Sequence, residues 1–537
     1  MALDPTSIAG KEYAWEAHVP LVVVGAGPAG IAAALEAAGL GMQVMLVDEH
    51  PVASALMGID VPWMFGERMG AAVQNQGRMI ERVVAARPEL QAAFEAGVDV
   101  RLGVYAWSAF VEGPTSRALP GPVLGLADET RAWFVRFDRM IVAAGGRDLG
   151  LAFPGWDRPG VRGARGFAAA VGLYGAFSGR RIVVLGGGAA GAEVVRAARA
   201  AGVEVAGIVD VGVVDVGVVE GMADVPVYAG YRVSGVEGAE VEAVRIARGD
   251  GSGALRIACD TVVLAVDVVP VVEMFDLLGC ALRFDGTRGG WVPVLDREGR
   301  CSQAGVSGPG VSGPGVYAAG DCAGVSDAAL ADPGLAAAAG RKAARAAARD
   351  AGLVAPEVEV GPAEMAPAAM EPDRDLWRRA WLGAHMGAPD LPICRCEEVS
   401  LADIAWVRPP RYLDYDAAKF ADRDVRTLAA EGPLNQDQIK RLTRAGMGAC
   451  QGRRCREQVQ AILAMSGNQA TGSVPMPSHR APLRPLPLSV LAAFEESDAV
   501  KDNWTAWFGI AAQWTPHWEK VPDGLRYETR WKPGVEE

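Results

Sequence analysis

The sequence predicts an α/β architecture: a Rossmann-like dinucleotide-binding domain with a second such domain inserted in it, then a small α-helical cysteine-bearing domain and a Trp-rich C-terminal tail. Three observations carry this. Two units of the order strand, glycine turn, helix, strand begin at Leu21 and Arg181; an apolar run, GVYAAGDCAG, enters another glycine turn at Gly315–Gly324; and four of the eight cysteines fall in two tight pairs. Strands that run straight into glycine turns and then into Ala-rich helices are the pattern of parallel-sheet nucleotide folds.

Length and composition frame the reading. A chain of 537 residues exceeds one hydrophobic core and calls for roughly three or four folding units. It is 50% apolar and 22% charged, as expected of a globular protein. The net charge of −13 argues against nucleic acid or an anionic membrane surface as main partner, since both reward clustered Lys and Arg. No run reaches the roughly 18–20 apolar residues of a membrane helix, and the opening MALDPTSIAGKEYAWEAH lacks a basic-then-apolar signal. The expectation is a cytoplasmic protein without a transmembrane segment, open to peripheral attachment through a complex. Eight cysteines are too sparse for a disulfide scaffold, and their uneven spacing suggests a metal.

The first unit, LVVVGAGPAGIAAALEAAGLGMQVMLVDE, ends in Asp48 and Glu49; the second, RIVVLGGGAAGAEVVRAARAAGVEVAGIVD, ends in Asp210. MIVAAGG at Met140–Gly146 and TVVLAVD at Thr261–Asp267 read as further strands entering turns. The Pro- and Ala-rich stretch after residue 350 reads as a linker with a short helix near Leu376–Leu382. The expected parts are 1–155 and 291–350 for the first domain, 156–290 for the inserted one, 351–390 for the linker, 391–466 for the cysteine domain and 467–537 for the tail. Trp504, Trp507, Trp514, Trp518 and Trp531 crowd the tail. That much aromatic surface is costly in water, so the tail is expected to bury it on a partner or back on its own first domain.

Gly25-Ala26-Gly27-Pro28-Ala29-Gly30 follows its strand directly. The first Gly makes the turn, the second lets the backbone approach a pyrophosphate, and the third lets the helix pack on the strand. The helix N-terminus then faces the phosphates, and Asp48 or Glu49 accepts from an adenosine ribose. Gly186, Gly188 and Gly191 repeat the pattern, and Asp210 suits a ribose 2′-OH and would repel a 2′-phosphate, favouring NAD over NADP. A different nucleotide, or none, is the other reading of this second site.

Cys394-Arg395-Cys396 and Cys450-Gln451-Gly452-Arg453-Arg454-Cys455 supply four thiolates, the count of a [2Fe–2S] cluster or a structural zinc. Cys-x-Cys is awkward around one tetrahedral ion, which favours two irons and leaves zinc the alternative. Arg395, Arg453 and Arg454 would offset the cluster's negative charge. Cys259, Cys280, Cys301 and Cys322 are mutually distant in sequence and are assigned no chemistry. No Cys-x-x-Cys pair precedes residue 394, which makes disulfide reduction an unfavoured activity. No Ser/His/Asp, paired-carboxylate or His-Glu-x-x-His constellation occurs, so no residue is named catalytic.

GVYAAGDCAG resembles the late motif of two-dinucleotide-fold flavoproteins such as the glutathione reductase and ferredoxin reductase families. The resemblance implies FAD, with Gly320 and Asp321 in its site. MIVAAGGRDLGLAFPGWDRPGV resembles the crossing between the two domains in that class, which brings Ala144 and Gly145 to the same cofactor. Relatives would hold NAD(P)H in the second domain; here Asp267 stands where they usually have Gly. ICRCEEVS followed by IKRLTRAGMGACQGRRC resembles the bacterioferritin-associated-ferredoxin-like [2Fe–2S] domain fused to FAD subunits of hydrogen cyanide synthase, opine oxidase and heteromeric proline or hydroxyproline dehydrogenases. As an architecture the likeness covers roughly residues 18–465.

It implies a hetero-oligomeric electron-transfer subunit whose partner, of the D-amino-acid-oxidase or sarcosine-oxidase type, oxidises an amine or amino acid. A small ferredoxin-like chain and an interfacial FMN are further candidates. A free-standing NADH-dependent reductase is the rival, and a structural subunit with a fixed nucleotide such as ATP the third reading. Three departures stand out: 53 residues, including RPPRYLDYDAAKFADRD, separate the Cys pairs; Ser54-Ala55-Leu56 replaces a Gly-Gly-Gln turn; and the tail is extra.

Overall fold

Apolar, β-branched runs without internal polar breaks form strands buried on both faces, and these build the two parallel sheets of the protein. In the computed structural model, the residues described are 8, 10–52, 76–112, 118–212, 224–302, 315–355, 373–410, 412–413 and 416–502. Ser54-Ala55-Leu56 and the five tail tryptophans lie outside them.

The first sheet runs Asp99–Leu102, Val44–Asp48, Ala17–Val24, Ala132–Val142, Val123–Ala127, Tyr105–Phe110, and Gly315–Ala318 also pairs with Ala132–Val142. Val23 stands opposite Leu46 on one side and Ile141 on the other, all parallel, and Tyr317 pairs with Ile141 from the returning strand. The chain therefore leaves this sheet after Val142 and returns to it at Gly315. Helix Pro28–Gly39 covers one face and packs on the Ala-rich helix Pro333–Asp350. The approach is so close that a Cβ on Gly340 would sit 1.9 Å from the Ala29 carbonyl oxygen.

The inserted sheet runs Val227–Ala229, Glu204–Asp210, Arg181–Leu185, Thr261–Leu264, Val161–Gly163, all parallel. A three-stranded antiparallel sheet, Tyr231–Glu237, Ala243–Arg248 and Leu255–Ala258, packs beside it.

The linker helix spans Arg374–Gly383 and buries Arg374, Trp377, Arg378, Trp381 and Leu382. One hydrophobic core runs unbroken from the inserted sheet (Val183, Leu264) through Trp377 and Trp381 to Ile393, Ile439 and Ile462 of the cysteine region. That region is a short hairpin, Pro392–Cys394 with Val399–Ser400, and helices Leu401–Ala405, Val425–Glu431, Gln436–Thr443 and Arg456–Ser466. Among the described residues no helix is long and apolar enough to cross a membrane.

Candidate functional site

The glycine turn of the first fold is shaped by what glycine alone permits. Gly25 sits at φ +107° with its Cα against the end of the neighbouring strand, where a Cβ would lie 2.3 Å from the Ala143 carbonyl oxygen; on Gly30 it would lie 1.7 Å from that of Gly25. At Gly27 a Cβ would meet nothing within 4 Å, because this residue faces a cavity of about 440 Å³. Gly25, Gly27, Asp48, Glu49, Ala144 and Gly145 all line that cavity. Open space over the second glycine, at the N-terminus of helix Pro28–Gly39, fits a dinucleotide pyrophosphate.

The two acidic candidates divide the work. Asp48 is buried and accepts from the Ala26 N–H at 2.5 Å and the His50 N–H at 2.8 Å, so its oxygens pin the turn. Glu49 is paired instead with Arg484 at 2.5 Å, and both line the cavity. Arg484 belongs to a segment that the sequence assigns to the tail. Leu483 beside it donates its N–H to the Trp107 carbonyl at 2.6 Å and accepts from Arg453 at 2.5 Å. Neither Arg453 nor Arg484 carries a sequence motif for this cavity, so no signal in the sequence marks its last wall.

Asp321 is ion-paired with Arg165, and it is Arg165 that lines the cavity; Gly320, at φ +76°, abuts Ala29. Asp148, also on the wall, is fully enclosed and accepts the N–H groups of Arg165 and Gly166 that open helix Ala164–Ala168. Burial outweighs those bonds and pushes its carboxyl up to about 6.

The crossing segment that carries Asp148 is also the bridge to the cysteine region. Trp156 Nε1 donates to the Pro392 carbonyl at 2.8 Å, the Ala152 N–H to Gln458 at 3.1 Å, and Arg147 to the Arg453 carbonyl at 2.8 Å. Arg147 and Arg456 enclose Glu273 and Glu457 in a buried ion network. Burial, then the neighbouring Arg484, draws the Arg453 guanidinium well below its ordinary value, with Glu49 opposing.

The four paired cysteines converge. The Cys396 and Cys450 sulfurs are 3.3 Å apart, the Cys394 thiol contacts those of Cys396 and Cys455, and the Gly446 N–H donates to the Cys394 sulfur at 3.4 Å. A Cβ on Gly448 would come within 2.3 Å of the Cys396 Cβ, so glycine is what lets the second loop close on the first. The neighbouring thiols hold Cys396 well below the ordinary thiol range, while thiol contact and burial push Cys394 and Cys450 up. The sulfurs touch one another rather than spread around a centre: among the described residues no three His, Cys, Asp or Glu side chains are arranged to hold a metal ion. Cys280 and Cys301, far apart in sequence, also meet thiol to thiol, and none of Cys259, Cys280, Cys301 or Cys322 lines the cavity.

The second glycine turn copies the first. Gly186 has φ +107°, and Asp210 accepts from the Gly187 N–H at 2.9 Å and the Gly212 N–H at 2.8 Å. The space over it is different: the hollow bounded by Gly188, Val266, Arg374 and Trp377 measures about 20 Å³. A Cβ on Gly188 would sit 3.4 Å from the Trp377 ring, and a Cβ on Gly191 would sit 2.3 Å from the Gly186 carbonyl oxygen.

Residues 19–351 match the family model described as pyridine nucleotide-disulphide oxidoreductase. The chain belongs to that family. It is a flavin oxidoreductase of the FAD-binding, Rossmann-like kind, without a dithiol at its flavin cavity among the described residues. Residues 411–495 match the sarcosine oxidase A3 domain, a segment that holds Cys450 and Cys455 but not Cys394 and Cys396. An opine oxidase subunit of Agrobacterium tumefaciens is 26% identical over 88% of this chain and 91% of its own length. The alpha chain of sarcosine oxidase from a Corynebacterium species is 33% identical over 34% of this chain and only 18% of its own. Both relatives are subunits of heteromeric enzymes. L-proline dehydrogenase from P. horikoshii shares the fold, with a TM-score of 0.56 at 19% identity over 89% of this chain and 81% of that one.

Proposed function

We propose that this chain is the FAD- and [2Fe–2S]-carrying electron-transfer subunit of a heteromeric amine or amino-acid dehydrogenase or oxidase, relaying electrons from a partner flavin subunit to an acceptor. The observation that carries the reading is a shared wall: Arg453, from the loop between Cys450 and Cys455, lines the same cavity as Gly25 and Gly27. Four converging thiols, a backbone N–H on one sulfur and arginines on the loop are a donor set suited to a cluster of net negative charge. The names of the relatives, opine oxidase and sarcosine oxidase, support a C–N bond as the donor, with its oxidant on a second subunit.

When bound, FAD exchanges two electrons and the cluster one at a time, so together they convert pair transfer to single transfer. The chain's own part is positioning. Asp48 holds the glycine turn, Glu49 and Arg484 face the cavity, and the Arg147–Glu457–Arg456 network fixes the cysteine loop to the crossing segment. Buried and rigid, that network keeps the distance between the two redox sites constant.

Anaerobically purified full chain is expected to contain about two irons and one FAD, and to give a rhombic EPR signal after dithionite reduction. Stoichiometric zinc without that signal would overturn the cluster assignment while leaving the flavin assignment standing.

A further inference from the structure

We infer that the second dinucleotide fold of this chain takes no dinucleotide: its crevice is filled by the chain's own helix Arg374–Gly383, and the fold serves as the seat that fixes the cysteine region. Three independent observations converge on this.

The first is the clamp. Asp267 stands at the end of strand Thr261–Leu264, at the mouth where a ligand of an open α/β sheet would enter. Its side chain is fully buried, one oxygen 2.7 Å from Arg374 Nη1 and the other 2.5 Å from Arg378 Nη2. Two guanidinium groups held by one carboxylate lock two successive turns of the helix across the crevice. Arg378 also donates to the Gly289 carbonyl at 2.9 Å.

The second is the cover. The Trp377 ring lies where a pyrophosphate would meet Gly188, leaving only the hollow of about 20 Å³ against about 440 Å³ at the equivalent place in the first fold. A dinucleotide needs several hundred Å³.

The third is the missing acceptor. Asp210 spends its oxygens on Gly187 and Gly212 as Asp48 spends its own on Ala26 and His50. In the first fold the next residue is Glu49, facing the cavity; in the second it is Val211, packed against the core that continues into the cysteine region. The residue that would receive a ribose is apolar.

The helix therefore replaces a ligand with protein, and through Trp377, Trp381 and Leu382 it joins the inserted sheet to Ile393 and Ile462. This holds whatever the cysteines bind. The test uses the full chain loaded with FAD. NADH, NAD⁺ and ATP, each at about 1 mM, are expected to give no titration heat and no hydrogen-exchange protection of the Gly186–Gly191 turn. Asp267→Asn is expected to raise amide exchange across the helix by about tenfold or more, since it removes the anion that two buried guanidinium groups share. Trp377→Ala, which keeps the clamp, is expected to raise exchange at the Gly186–Gly191 turn alone. Stoichiometric binding of any of the three nucleotides to the wild-type chain with protection of that turn would overturn the inference, as would unchanged exchange at the turn in Trp377→Ala.

Discussion

Single residues in the first fold have separable roles that substitution can tell apart. Gly27 has φ −78° and ψ −177°, a conformation open to any residue, and a Cβ there enters empty space. Gly27→Val should fold and keep its metal, yet occupy the volume the pyrophosphate needs; released flavin, measured by chromatography, should fall below about a tenth of the wild-type content. Gly30→Val puts a side chain 1.7 Å from a backbone oxygen and should not fold at all. A Gly27→Val protein with full FAD would mean that the cavity is not the flavin site. Asp148 makes a second case, in pH. Its folded-state carboxyl near 6 lies above the usual 3.8, so the folded protein holds the extra proton between those values. Stability from this group is then intact below about pH 4 and lost as pH rises through about 6, a cost of about 3 kcal/mol at neutral pH. Asp148→Asn apoprotein should lack that term. The difference in denaturation free energy between wild type and variant should shift by about 3 kcal/mol from pH 4 to pH 7, and a constant difference would refute it.

At the scale of elements, the strand–turn–helix units were legible because their signals are local: an apolar run, glycines at fixed spacing and an acidic end all fall within thirty-odd residues. What each acidic residue does was not legible, since Asp48 and Glu49 are adjacent and only the direction of their carboxylates separates a turn-pinning role from a cavity-facing one. The packing of helix on helix was equally hidden. Nothing in PGLAAAAGRKAARAAARD marks Gly340 as the residue that lets helix Pro333–Asp350 touch helix Pro28–Gly39. By helix propensity Gly340→Ala should stabilise by about 1 kcal/mol. The contact reverses the sign: a Cβ 1.9 Å from the Ala29 oxygen must push the helices apart, at a cost of about 1–3 kcal/mol. Because Ala29 follows the glycine turn, flavin affinity should fall with it. Gly39→Ala, with nothing within 4 Å, is the control that should leave melting temperature and flavin binding almost unchanged.

For the molecule as a whole, the sequence pointed to separable parts, a flavoprotein body and a cysteine domain on a linker, and the physical connections between them run through residues that carry no motif. Trp156, Gln458, Arg147 and Arg453 tie the crossing segment to the cysteine region across some 240 to 310 residues of sequence, a separation at which periodicity and spacing say nothing. The family match ends at residue 351, and in an ordinary member a chain stopped there would be complete. Here it would not be. A chain ending at Ala355 loses Arg374 and Arg378 from Asp267, Pro392 from the Trp156 indole, and Arg453, Leu483 and Arg484 from the wall of the flavin cavity. It also uncovers the half of a continuous core that Trp377, Trp381 and Leu382 otherwise bury, an apolar patch far larger than a stable monomer exposes. Expressed alone, residues 1–355 should aggregate on gel filtration and retain little flavin absorbance, whereas the full chain elutes as a defined species with FAD bound. If the fragment is instead monodisperse and holds one FAD per chain, the cysteine region is an appendage to a self-sufficient flavoprotein, and the shared wall between the two redox sites is not part of the flavin-binding fold.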